Sequence, residues 1–187
     1  MSKDLPNLTF ILGGARSGKS SLAEQRAHEY GDSVIYCATA EILDEEMEKR
    51  IALHRKRRPG TWQTVEAPHH AAEKLRQALA SRQTACVLFD CLSVLTSNVL
   101  LGLDENIAEA DAFSALREQE LDALLKLIEE TPETHWLIVS NEVGMGVVPA
   151  YKLGRTYRDL LGRANQAVAA AAGEVIFMIA GIGTRIK

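Results

Sequence analysis

The chain has 187 residues, 47% of them hydrophobic and 25% charged, the size and balance of one globular domain with an ample core, and far from disordered or fibrous compositions. The 21 Lys and Arg against 25 Asp and Glu leave a formal charge of −4, and only 5% of residues are aromatic, so both phosphate-backbone attraction and base stacking are poorly supplied and no nucleic-acid partner is expected. Cys37, Cys86 and Cys91 are odd in number and lack paired spacing, which points to reduced thiols rather than a disulfide framework or a zinc site.

The start of the chain, Met1-Ser2-Lys3-Asp4-Leu5-Pro6, lacks the pattern of a signal peptide. In chain order, residues 8–12 read as a strand, 18–30 as a helix, 34–39 as a strand, 41–58 as a helix and 62–66 as a weaker strand. Residues 71–82 are helical in pattern, 86–90 form an apolar strand, and a helix is expected over 93–101. Leu121, Leu124, Leu125 and Ile128 fall at i, i+3, i+4 and i+7 of an amphipathic helix, 136–140 return to strand, and Leu160, Leu161, Ala164, Val168 and Ala171 repeat the helical stripe before a last strand over 175–180. The apolar stretch 167–182 is broken by Gly173, Glu174 and Gly181 and is too short to span a bilayer, so a cytoplasmic protein without a membrane span is expected. Strand and helix alternate throughout. The expected fold is therefore α/β, a mostly parallel central sheet with helices on both faces, in a single domain covering 1–187.

The turn after the first strand is Gly13-Gly14-Ala15-Arg16-Ser17-Gly18-Lys19-Ser20, which fits G-x-x-x-x-G-K-[ST] in the strand-loop-helix setting that a phosphate-binding loop (P-loop) requires. Its glycines let successive N–H groups face phosphate oxygens, the helix start adds its positive end, and Lys19 adds a full charge. Ser20 is the expected Mg2+ ligand. Asp90 closes the run Val87-Leu88-Phe89 and has two readings: a carboxylate that holds Mg2+, directly or through water, or the N-cap of the helix over 93–101. N-K-x-D is absent, and the strand-end Asp90 runs into Cys91-Leu92-Ser93 instead of the D-x-x-G of a GTP switch, which leaves a small kinase or a nucleotidyltransferase.

The segment 42–59 begins acidic and ends basic, in agreement with the helix dipole. His54 lies one turn from both Arg50 and Arg58. It either borders the core beside a solvated basic helix end, or offers a neutral imidazole that attacks phosphorus while arginines stabilise the developing charge. Asn141-Glu142 leads into Gly144, Gly146 and Pro149, a lid or acceptor-pocket candidate at the sheet edge or else a plain connection. Arg155, Arg158 and Arg163 read as surface charges more readily than as phosphate ligands. His69 and His70 open a helix without metal-ligand spacing and read as solvent-facing, and His28 and His135 carry no functional signal. On these residues alone, a plain small-molecule kinase and a nucleotide-sensing regulatory module remain alternatives.

The P-loop octet, Ala38-Thr39, Asp44 with Glu46-Met47, Arg50-Ile51, His54, Arg58-Pro59, Trp62, Thr64 and Glu66, followed by Asp90-Cys91-Leu92 with Asn98, the run Asn141-Glu142-Val143-Gly144-Met145-Gly146-Val147-Val148-Pro149, Arg158-Asp159, Gly162-Arg163, Asn165-Gln166 and Gly181-Ile182, together resemble the bifunctional adenosylcobinamide kinase and adenosylcobinamide-phosphate guanylyltransferase family of cobalamin biosynthesis. The likeness runs from Leu8 to Lys187, with Leu95 standing where many relatives carry tryptophan. It implies phosphorylation of adenosylcobinamide by ATP or GTP, then transfer of GMP from GTP to the new phosphate through a histidine, here His54. It implies nucleotide contacts at Gly13 to Ser20, at Ala38, Thr39 and Ala40, at Arg55, Lys56, Arg57 and Arg58, and at Glu66 and Asp90, beside the Mg2+ cofactor that the loop motif itself predicts. It also implies a homotrimer.

Overall fold

The computed structural model describes residues 4–41, 59–104 and 106–187. Strand β1 (Leu5–Gly13) leads into helix α1 (Lys19–His28), then β2 (Val34–Ala38), β3 (Gln63–Glu66), α2 (Ala71–Ser81) and β4 (Cys86–Asp90). There follow α3 (Leu92–Leu101), α4 (Glu109–Leu116), a π-helical segment (Arg117–Leu121), α5 (Asp122–Glu130), β5 (His135–Asn141), α6 (Lys152–Ala171), β6 (Ala172–Ile179) and β7 (Ile182–Arg185). One seven-stranded sheet runs in the order β3-β2-β4-β5-β1-β6-β7. Every neighbouring pair is parallel except β6 and β7.

The strands were legible as near-continuous apolar runs because both sheet faces are covered. On one face Phe10, Ile35, Phe89, Trp136 and Ile138 pack with side chains of α2 to α6, Leu95 among them and fully buried. On the other face Ile11, Tyr36, Leu88 and Val139 meet Ala23 and Ala27 of α1, whose small side chains let that helix lie close to the sheet. The expected mostly parallel α/β sheet with helices on both faces is therefore the observed one. The weaker strand over 62–66 is present as β3. Strand β7 and helix α4 were not expected, and α1 ends at His28, where Gly31, at φ 66°, turns the chain. The helix expected over 41–58 lies outside the described residues apart from Glu41.

One expectation is corrected. Asp90 is not a helix N-cap: α3 begins at Leu92 after an extended Cys91, without a side-chain cap.

Candidate active site

The parallel registers bring the candidate residues to one edge of the sheet. Gly13 pairs with Asn141, Ala38 pairs with both Glu66 and Asp90, and Asp90 pairs with Val139, so all close their strands at the carboxyl side. Ligands of open α/β sheets bind in this crevice.

The loop 13–20 is held from behind and open in front. The Gly13 carbonyl accepts from the Glu142 N–H at 2.9 Å, and the Ser17 carbonyl accepts from the Gly181 N–H at 2.9 Å. A Cβ on Gly13 would stand 2.5 Å from the Met178 carbonyl oxygen, so only glycine lets β6 back the loop this closely. Gly18 takes the left-handed conformation at φ 98°, and Arg16 does so at φ 58°. Within the turn only Ser17 N–H and Leu22 N–H find backbone acceptors, Gly14 O at 3.3 Å and Gly18 O at 3.0 Å. Among the described residues, the N–H groups of Ala15, Arg16, Gly18, Lys19 and Ser20 have no backbone acceptor, and Ser17 Oγ is buried without a partner. A cradle of unpaired donors at a helix start has the chemistry to accept an anion.

Lys19 is only 7% exposed and donates from Nζ to the Gly14 carbonyl at 2.6 Å. Burial lowers its pKa, opposed by the neighbouring Cys91 and Asp90. An incoming phosphate would supply the ammonium with the anion that burial denies it.

Asp90 accepts from the Tyr36 hydroxyl at Oδ2, 2.7 Å away. Thr39 is fully buried: its Oγ1 donates to the Cys91 carbonyl and accepts from the Cys91 N–H, each at 2.8 Å, and its N–H donates to the Asp90 carbonyl. Its hydroxyl is thus committed to the backbone, and Thr39 shapes the crevice instead of reaching into it. Asn98 donates from Nδ2 to the carbonyls of Thr39 and Pro68, at 2.9 and 3.0 Å, tying the loops after β2 and β3 to α3. Asn165 does the same for β5, accepting from Ser140 Oγ and donating to the Asn141 carbonyl. Ala38 and Ala40 are half-buried in this crevice, and Glu66 is exposed at its outer end. The predicted residues His54, Arg55, Lys56, Arg57 and Arg58 lie outside the described residues.

The other charged candidates are engaged locally. Arg155 donates to the carbonyls of Pro149 and Ala150, Arg158 pairs with Asp159, and Arg163 pairs with Glu109. His69 is only half-exposed and has Glu41 as a carboxylate neighbour at 3.4 Å, a pairing across the gap between β2 and β3 that sequence spacing does not reveal. Among the described residues, no three His, Cys, Asp or Glu side chains gather as a metal centre.

A parallel sheet with a phosphate cradle between β1 and α1, a buried lysine in the cradle and a carboxylate at the end of β4 defines a P-loop nucleotide-binding protein. Residues 9–186 match the family model described as cobinamide kinase / cobinamide phosphate guanyltransferase. The "Bifunctional adenosylcobalamin biosynthesis protein CobU" of Escherichia coli is 40% identical over 186 residues, spanning 96% of this chain and 99% of that protein. The corresponding CobP of Pseudomonas aeruginosa is 44% identical over 95% of each chain, and CobU of Salmonella typhimurium is 38% identical over 96% of this chain and 99% of its own. The chain belongs to the cobinamide kinase / cobinamide phosphate guanyltransferase family, and so to the enzymes of adenosylcobalamin biosynthesis.

Proposed function

We propose that the enzyme phosphorylates the hydroxyl of adenosylcobinamide with ATP or GTP, and then converts the product to adenosylcobinamide-GDP in two displacements. In the first, an imidazole nitrogen of His54 bonds to the α-phosphorus of GTP and pyrophosphate leaves. In the second, a phosphate oxygen of adenosylcobinamide phosphate bonds to the same phosphorus as the N–P bond breaks, which restores the imidazole. The observation that carries this reading is the open cradle of the P-loop, with its unpaired N–H groups and buried Lys19, in a chain of this family.

The cradle binds the phosphates, and Lys19 neutralises charge that grows on them in either transition state. Ser20 Oγ and Asp90 Oδ1 make no hydrogen bond among the described residues, so two hard oxygen donors fit Mg2+, which favours a few protein ligands completed by water and phosphate. When bound, the ion supplies charge compensation between the phosphates. Arg55, Lys56, Arg57 and Arg58 add positive charge along the chain from His54, and Ala38, Thr39, Ala40 and Glu66 border the nucleotide. Met145, Val147, Val148 and Tyr151 stand exposed on the segment that follows Glu142, beside the loop, and we assign this apolar face to the corrinoid acceptor. Its composition and patterning suit a single-domain cytoplasmic enzyme, and the resemblance adds assembly into a homotrimer.

GTP labelled at the α-phosphate tests the covalent step. Incubation with Mg2+ should leave an acid-labile, base-stable label on the protein, and His54→Ala should abolish it. An unlabelled native protein refutes the guanylyltransferase mechanism.

A further inference from the structure

Tyr36 is almost completely buried on the α1 face of β2, two residues before the end of the strand, and its ring packs in the same cluster as Ala23, Ala27 and Leu88. Its hydroxyl reaches diagonally across the β2/β4 register to Asp90 Oδ2 at 2.7 Å, and it is the only described side chain that donates to that carboxylate. Thr39, the first residue beyond the end of β2, fixes the main chain on either side of the Asp90–Cys91 peptide. Carboxylate and backbone of this acid are therefore held by β2 and the residue that follows it, outside the phosphate loop. A bond to Oδ2 removes the free rotation of the carboxylate and selects Oδ1 as its open oxygen.

We propose that Tyr36 is a positioning residue for the nucleotide site, orienting Asp90 so that Oδ1 serves the Mg2+ that accompanies the triphosphate. The inference rests on the magnesium-side reading of Asp90 given above. A buried phenol also needs a partner for its own sake, and a purely structural Tyr36–Asp90 bond would affect folding stability without touching the response to metal.

Equilibrium binding of α,β-methylene GTP, whose α-phosphorus cannot release the leaving group, measured calorimetrically in EDTA and over a Mg2+ series without acceptor, separates the two roles without any turnover. Tyr36→Phe keeps the ring and removes only the hydroxyl. It should leave affinity in EDTA within about twofold of the native value and raise the Mg2+ concentration needed for half-maximal enhancement about 10-fold. In an Asp90→Ala background, Tyr36→Phe should add nothing, because the group it orients is gone. The proposal is overturned if Tyr36→Phe responds to Mg2+ like the native protein, if affinity in EDTA falls by the same factor, or if the two substitutions act independently. A native Mg2+ response in Asp90→Ala alone would instead strike the magnesium-side reading of Asp90, and the role of Tyr36 with it.

Discussion

Thr9, on the α1 face of β1, shows how single residues set the conditions under which the fold persists. Its hydroxyl donates to Glu174 Oε2 at 3.1 Å, and Thr9 Oγ1 lies 3.2 Å from His135 Nε2. A hydroxyl has one proton to give, so His135 must donate from Nε2, which fixes the tautomer of the neutral ring. Arg26 Nη1 pairs with the same Glu174 oxygen, and Tyr30 stacks on His135 with centroids 5.3 Å apart. Burial pushes the Glu174 carboxyl up, but the hydrogen bonds from Arg26 and Thr9 and the charges of Arg26 and Arg185 outweigh it and hold the pKa below its ordinary 4.5. Burial lowers the pKa of His135 below 6.5, opposed by Glu174 and reinforced by Arg26. In both cases the unfolded chain binds more protons than the folded one between the two pKa values, so stability rises with pH through each window. The His135 contribution is full above about pH 6.5 and is lost as pH falls through the depressed folded value, and the Glu174 contribution is full above 4.5 and is lost in the same way. Urea midpoints measured from pH 7 to pH 3 should fall steadily, and Glu174→Gln should make the decline below pH 4.5 shallower. An unchanged slope in that variant would show that the Arg26–Glu174 pair does not contribute to acid sensitivity.

At the scale of elements, the segment between β5 and α6 combines anchorage with exposure. Glu142 is fixed to the P-loop through its N–H, and its carboxylate accepts from the N–H groups of Gly144 and Met145 at 2.6 and 3.1 Å, so the turn has a definite path. Beyond it Val147 is 95% exposed, which makes it a clean probe. Val147→Asp should leave folding and GTP binding intact and raise the KM for the corrinoid in both reactions by roughly 10-fold, the scale of one lost apolar contact of this size. A KM unchanged for cobinamide would remove this face from the acceptor site. Elements differed in how readily the sequence revealed them. β1, β2, β4 and β5 are buried on both faces and carry near-continuous apolar runs, whereas all four residues of β7 are exposed and leave no pattern to read. The π-helical segment 117–121 continues the helical stripe on either side of it, so periodicity does not distinguish it. The phosphate loop was legible because its pattern is local, eight consecutive residues in one strand-to-helix turn. The Tyr36 bond to Asp90 and the commitment of the Thr39 hydroxyl to Cys91 were not, because both depend on the pairing of strands some fifty residues apart in the chain. The role proposed for His54 came from the resemblance, since spacing alone left the imidazole between core edge and nucleophile.

The whole molecule must fit two group transfers into 187 residues, and its charge distribution bears on how. A net −4 conceals the run Lys49, Arg50, Arg55, Lys56, Arg57 and Arg58, a local excess of positive charge in an acidic chain. Among the described residues there is one phosphate cradle, the loop 13–20, and one buried lysine within it. Kinase chemistry breaks the bond to the γ-phosphorus and guanylylation the bond to the α-phosphorus, so a triphosphate held in one place serves both if acceptor hydroxyl and imidazole approach different ends of it. A shared cradle has a kinetic consequence that two separate sites lack. A GTP analogue with methylene bridges at both the α,β and β,γ positions should inhibit the GTP-dependent kinase step and the labelling of His54 with the same constant, and Lys19→Ala should slow both by about 10²- to 10³-fold, the usual cost of removing one charge-stabilising donor. Separate sites predict two inhibition constants and a Lys19→Ala defect confined to one step. With guanylylation followed by label on the protein and phosphorylation by acceptor consumption, one protein preparation decides between them.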